Sequence, residues 1–143
     1  MAYVTAMTPT GETFHLKSFL ADPAPPNGEC EDFADFLVCL STSVGASAMK
    51  SQRSNPLNSL GFWYRSLTPA HGVLQADWFR YHEFGLLTLA VWDGCIKFPT
   101  TGVPKGWDRD STYYNRLVDH YVFPSTWTVT PISGFTPAVT TDP

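Results

Sequence analysis

Apolar side chains fall at Phe33, Phe36, Leu37, Leu40 and Val44, the spacing of one face of a helix. The pattern predicts a helix from about Gly28 to Val44. Ala24, Pro25 and Pro26 precede it and cannot continue a helix. Asn27 is expected to cap its start, and Gly45 to stop it. Elsewhere the apolar residues cluster in short runs typical of strands. Tyr3 to Met7 and Thr13 to Phe19 flank the turn Thr8-Pro9-Thr10-Gly11 and predict a hairpin over residues 1–20. The small, polar stretch 45–58 predicts a connection. Leu60 to Leu67, with Phe62, Trp63 and Tyr64, predicts a strand, and Gln75 to Phe98 predicts more than one. Residues 99–106 read as a loop. Asp110-Ser111 is expected to cap a short helix bearing Tyr113, Tyr114, Leu117 and Val118, and Tyr121 to Phe123 suits a last strand. Residues 124–143, rich in Thr and Pro, read as an edge strand or tail. The expected fold class is α+β, one helix packed on an antiparallel sheet.

Two turns compete within 75–98. Asp93-Gly94 is a strong hairpin dipeptide. A turn there puts Asp93 at the tip, about 35 Å along the strand from His82. A turn near Thr88-Leu89 instead pairs His82 near Cys95 and Asp93 across from Phe84. Because alternate residues share a face, His82 and Asp93 then become diagonal neighbours. Local turn chemistry favours the first choice.

The chain has 143 residues, 43% of them hydrophobic, which suffices for one domain with a real core. The formal net charge is −4 and no basic stripe appears, so nucleic acid is not an expected partner. The apolar runs are too short for a membrane helix. Three widely spaced cysteines suggest neither a disulfide framework nor a zinc site. A zinc site from Cys30, His82, Asp93 and Cys95 lacks any short Cys or His ligand pair, and no metal or cofactor is expected.

Cys30 stands in the first turn of the predicted helix, on the flank of its apolar stripe, while Cys39 points roughly the opposite way. The helix dipole favours a thiolate there, and thiolate is the reactive form. Glu29, Glu31 and Asp32 oppose that effect. Cys30 as an ordinary buried thiol is the plain alternative. His15, His71 and His120 read as structural or surface histidines, and Glu29 and Glu83 as solvated.

Three pieces taken together carry a resemblance: Gly28-Glu29-Cys30-Glu31-Asp32-Phe33-Ala34, His82-Glu83-Phe84 and Val91-Trp92-Asp93-Gly94-Cys95. A Cys opening a helix, a His on a strand about fifty residues later and an Asp on the next strand resemble the transglutaminase-like branch of the papain-fold superfamily. The resemblance spans residues 25–98. It implies a papain-like core whose Asp-bearing and His-bearing strands pair, which selects the turn near Thr88-Leu89. It implies Cys30 as nucleophile, His82 as general base and then acid, and Asp93 as the group that orients the imidazole. The Cys30 backbone N–H would serve as one oxyanion donor, with Asn27 as a speculative second. The Trp upstream of the Cys in larger transglutaminases, and the upstream Gln of papain-like enzymes, have no counterpart among residues 1–29. Trp92, Trp78 and Tyr81 would wall a substrate groove, although aromatic residues at strand positions more often build core.

These expectations define a single domain over residues 1–123, with its catalytic core at 27–98. The implied activity is thiol-dependent acyl transfer on amide bonds of a protein or peptide: glutamine deamidation, crosslinking or peptide hydrolysis. Small domains of this kind also resemble bacterial effector or toxin modules, which suits a piece of a larger polypeptide or assembly. Two alternatives stay open. One is a cell-wall cysteine peptidase, against which the acidic and bulky neighbours of Cys30 argue. The other is an inactive papain-like module used for binding or structure.

Overall fold

A computed structural model describes residues 3–5, 7–8, 10–22, 29–46, 48–54, 61–65, 68–69, 78–122 and 138–141. Among them helix and sheet are mixed, and the sheet pairings are antiparallel except one. The strands are β1 (Val4–Thr5), β2 (Gly11–Phe14), β3 (Lys50–Ser54), β4 (Gly61–Tyr64), β5 (Thr68–Pro69), β6 (Trp78–Phe79), β7 (His82–Leu87), β8 (Ala90–Trp92), β9 (Ile96–Lys97), β10 (Lys105–Asp108), β11 (Val118–Val122) and β12 (Ala138–Thr141). The α-helices are α1 (Leu16–Ala21), α2 (Cys30–Ser43) and α3 (Tyr114–Leu117), the last entered through a π-helical turn at Arg109–Tyr113.

The central four-stranded sheet runs β10-β8-β7-β3, and α2 packs across β7 and β3. Gly85 lets the helix approach. A Cβ there would meet Met49 Sδ at 3.2 Å, the Trp92 carbonyl oxygen at 3.3 Å and Leu37 of α2 at 3.6 Å. Alternation along β7 then sorts the side chains. Glu83 and Gly85 face α2. His82 and Phe84 face the opposite way, into a core with Phe62, Val91, Ile96, Tyr113 and Leu117. A second core of Tyr3, Val4, Phe14, Phe19 and Phe33 joins α1, α2 and the β1–β2 hairpin, and Cys95 packs against both.

Helix α2 begins two residues later than Gly28. Its N-cap is Glu29, in a capping box that is reciprocated by Asp32, whose carboxylate also accepts the Tyr3 N–H. The expected cap, Asn27, lies outside the described residues.

Several strand expectations need correction. The second arm of the N-terminal hairpin ends at Phe14, and Leu16–Ala21 is helix: three apolar positions, Leu16, Phe19 and Leu20, fit one helical face as well as a strand. Residues 50–54, expected as connection, form β3, in which Ser51, Gln52, Arg53 and Ser54 are buried. The strand expected at Tyr121 to Phe123 is Val118–Val122, and His120, which follows α3, lies on it stacked on Trp63. The π-helical turn is capped by Asp108, not by Asp110-Ser111: Asp108 accepts the backbone N–H groups of Asp110 and Ser111. Residues 138–141 of the C-terminal stretch form an edge strand, parallel to β2.

The β7–β8 hairpin turns at Thr88-Leu89, with Gly85 opposite Trp92, Leu86 opposite Val91 and Leu87 opposite Ala90. Thr88 has φ 56°, a left-handed backbone that a β-branched residue rarely adopts. Gly94-Cys95 forms a bend between β8 and β9, where the Asp93 carboxylate accepts the Cys95 N–H. Replacing Thr88 by Gly relieves the strain. Thr88→Gly is expected to raise the midpoint of thermal unfolding by a few degrees, an effect of about 0.5–1 kcal/mol; an unchanged or lower midpoint would show that the turn is not strained.

Beneath α2, four ionisable groups share the interior. Glu12 (β2), Asp35 (α2) and Glu83 (β7) are buried beside Arg53 (β3). Arg53 reaches Glu12 at 2.9 Å and Glu83 at 3.3 Å, and Ser51 donates to Glu83. Glu83 is thus interior, not solvated as its sequence context suggested. Burial raises all three acids, Glu12 and Asp35 to about 7 and Glu83 to about 9. Unfolded, such groups titrate near 4. Between these values the folded chain binds more protons than the unfolded one, so stability falls as pH rises. Melts in chelator-containing buffer are expected to show a midpoint roughly 5–10 °C higher at pH 5.5 than at pH 8.5. Glu83→Gln should flatten the slope; a midpoint that rises with pH would contradict the coupling.

Candidate functional site

The antiparallel register brings His82 and Asp93 together. His82 Nε2 lies 2.7 Å from Asp93 Oδ2, and both side chains are about 1% exposed. The Tyr113 hydroxyl donates to the same Asp93 oxygen at 2.6 Å, and the Cys95 backbone N–H to the other at 2.9 Å. Asp93 thus accepts three hydrogen bonds. Burial and the Asp93 carboxylate hold the Tyr113 hydroxyl well above its ordinary pKa, which keeps it a donor. With Nε2–H directed at a carboxylate, a neutral His82 carries its lone pair on Nδ1. Nδ1 is buried and has no hydrogen-bond partner among the described residues. Phe79 stacks on the imidazole at 5.0 Å between ring centroids and 16° between planes. The ring is therefore fixed on one edge by Asp93 and on one face by Phe79.

Cys30 occupies the first turn of α2, half-buried and reduced, like Cys39 and Cys95. Its thiol donates to Glu31 Oε2 at 3.1 Å, and Tyr81 donates to Glu31 Oε1 at 2.6 Å. This pair ties the residue after Cys30 to the residue before His82. The same alternation that sends His82 away from α2 aims Tyr81 toward it. Cys30 consequently bonds Glu31 and not His82. Burial, then the Glu31 carboxylate, push the Cys30 thiol well above its ordinary value, so the helix dipole does not prevail. Burial also raises Cys95 and, less strongly, Cys39.

The expected groove residues divide. Tyr81 is part-buried and held by Glu31. Trp92 packs against the backbone of Gly106, and its indole N–H is buried without a partner among the described residues. Trp78 pairs with Trp63 through the β4–β6 ladder; its side chain and Asn27 lie outside the described residues. Among the described residues a cavity of about 220 Å³ lies at Val38, Thr42, Met49 and Val139, away from Cys30. Among the same residues, metal-ligand spacing occurs at Glu12, Asp35 and Glu83.

Glu31 and Tyr113 were not singled out as site residues from the sequence. Glu31 was legible only as a helix-start acid. Tyr113 carried no signal, because its partner comes from a hairpin twenty residues upstream. No protein-family model, curated protein or solved structure matches the chain.

Removing the Glu31 charge should free the thiol. Glu31→Gln is expected to speed iodoacetamide alkylation of Cys30 at pH 8 by about tenfold, because losing the carboxylate lowers the thiol pKa and raises the thiolate fraction. Peptide mass spectrometry resolves Cys30 from Cys39 and Cys95; an unchanged Cys30 rate would mean that Glu31 does not control the thiol.

Proposed function

We propose that the chain is a cysteine-dependent acyl-transfer enzyme of papain-like, transglutaminase-like architecture, acting on amide bonds of a protein or peptide. The observation that carries this reading is the buried His82–Asp93 hydrogen bond, which leaves His82 Nδ1 as an unpartnered base. Asp93 and Tyr113 orient the imidazole; Cys30 and His82 act on the substrate.

The thiol rests protonated on Glu31, so no thiolate–imidazolium pair exists beforehand. In the reaction Cys30 Sγ turns from Glu31 toward the imidazole, attacks the amide carbonyl carbon and gives its proton to His82 Nδ1. The tetrahedral oxyanion is met by the Cys30 backbone N–H. The C–N bond breaks as His82 returns the proton to the leaving amine or ammonia, and a Cys30 thioester remains. Water or a primary amine then attacks it, His82 takes the incoming proton, and the thiol is regenerated. Water as acceptor gives deamidation or peptide hydrolysis, and an amine gives crosslinking.

The test is ammonia release from glutamine-containing peptides, with mass spectrometry of an acyl adduct on Cys30. Cys30→Ser and His82→Ala are expected to reduce turnover at least about 100-fold while circular dichroism stays unchanged, and Asp93→Asn somewhat less. Turnover of cell-wall muropeptides in place of glutamine peptides would assign the peptidase alternative. No turnover and no adduct on either substrate, with Cys30→Ser indistinguishable from the parent, would overturn the catalytic reading.

A second reading has its own observation. Cys30 is hydrogen-bonded to Glu31, and His82 belongs to the core on the far face of β7. That arrangement suits an inactive module of the same architecture, used for binding or structure.

A further inference from the structure

Beneath the middle of α2, three carboxylates from separate elements converge. One oxygen each from Glu12, Asp35 and Glu83 lies within 4.8 Å of the others. All three residues are buried, Glu12 at 3% exposed and Asp35 and Glu83 at 0%. Arg53 and Ser51 satisfy only part of the set. Arg53 takes Glu12 Oε2 and Glu83 Oε2, and Ser51 takes Glu83 Oε1. Three oxygens are left over: Glu12 Oε1, Asp35 Oδ1 and Asp35 Oδ2 are buried without a donor among the described residues.

A buried carboxyl with both oxygens unpartnered is costly as a carboxylate, so it either keeps its proton or meets a cation. As carboxylates the three acids exceed the single guanidinium by two charges, the charge of one divalent ion. We propose that Glu12, Asp35 and Glu83 bind one hard divalent cation of calcium or manganese size.

The ligands are oxygen only, with neither Cys nor His, which selects a hard cation over zinc or copper. Calcium accepts bonds of about 2.3–2.6 Å in irregular geometry and tolerates a bidentate carboxylate such as Asp35 offers. A spread of 4.8 Å between ligand oxygens suits such bonds. Magnesium sheds its waters reluctantly, whereas ligands buried as these are favour an ion that gives its waters up. Arg53 leaves Glu12 Oε1 and both Asp35 oxygens untouched, and of the two Glu83 oxygens it takes only Oε2. The ion would join α2, β2 and β7, and so fix the helix that carries Cys30 without touching the thiol. The inference stands apart from the proposed activity.

The experiment is calorimetric titration of chelator-stripped full chain at pH 8 with CaCl₂, MnCl₂ and MgCl₂, beside thermal melts. One calcium or manganese ion per chain is expected to bind at about 0.1 mM or tighter and to raise the melting midpoint, with magnesium at least about tenfold weaker. Asp35→Asn and Glu12→Gln should abolish the binding heat, whereas Cys30→Ser should leave it intact. Should the variants fail to fold, manganese broadening of backbone amides in the parent chain locates the ion, with amides 12, 35 and 83 lost first. Absence of saturable binding by calcium and manganese up to about 10 mM, far above site affinities of this class, would overturn the proposal. So would binding that survives both variants, broadening centred elsewhere, or magnesium binding as tightly as calcium.

Discussion

The guanidinium of Arg53 is the interaction on which the rest of this structure leans. It sits in the interior and bridges Glu12 of β2 and Glu83 of β7, and its NH2 also donates to the Thr8 carbonyl. The N-terminal hairpin and the central sheet are therefore bound through one buried cation. A buried ion network of this kind is weak as a source of stability, because desolvation offsets much of the attraction. Its consequence is positional. Loss of any single partner leaves another charge stranded, so β2, β3 and β7 have one low-energy arrangement.

Alternation on β7 turns that arrangement into two chemical compartments. Tyr81, Glu83 and Gly85 serve the helix side, where the acids gather and the Cys30 thiol bonds Glu31. His82 and Phe84 serve the aromatic side, where Asp93 and Tyr113 hold the imidazole. The two sides meet at the start of the strand, where Tyr81 and His82 are consecutive. Burial first, and then the acidic surroundings, explain why a thiol at a helix N-terminus rests protonated: the dipole's positive end amounts to about half a charge, and a full carboxylate on the next residue outweighs it.

The sequence by itself determined the elements whose pattern is local. Helical spacing of Phe33, Phe36 and Leu37 marked α2, and aromatic runs marked β4, β7 and β8. With the family resemblance as guide, the turn at Thr88-Leu89 and the diagonal His82–Asp93 pairing were also legible, against the Asp93-Gly94 turn signal. Tertiary structure alone decided the rest. β3 reads as a polar linker, and only its partners Glu83 and Glu12 make Ser51 and Arg53 interior residues. Thr88 accepts a left-handed backbone because pairing on both sides of it, with Gly85 to Leu87 against Ala90 to Trp92, over-determines the turn. The thiol's partner was likewise undecided by spacing along the chain. Which face of β7 the helix covers is set by where a helix can approach Gly85, a contact between residues far apart in sequence. Local patterns encode periodicity, and so faces; which face meets which neighbour is a property of packing.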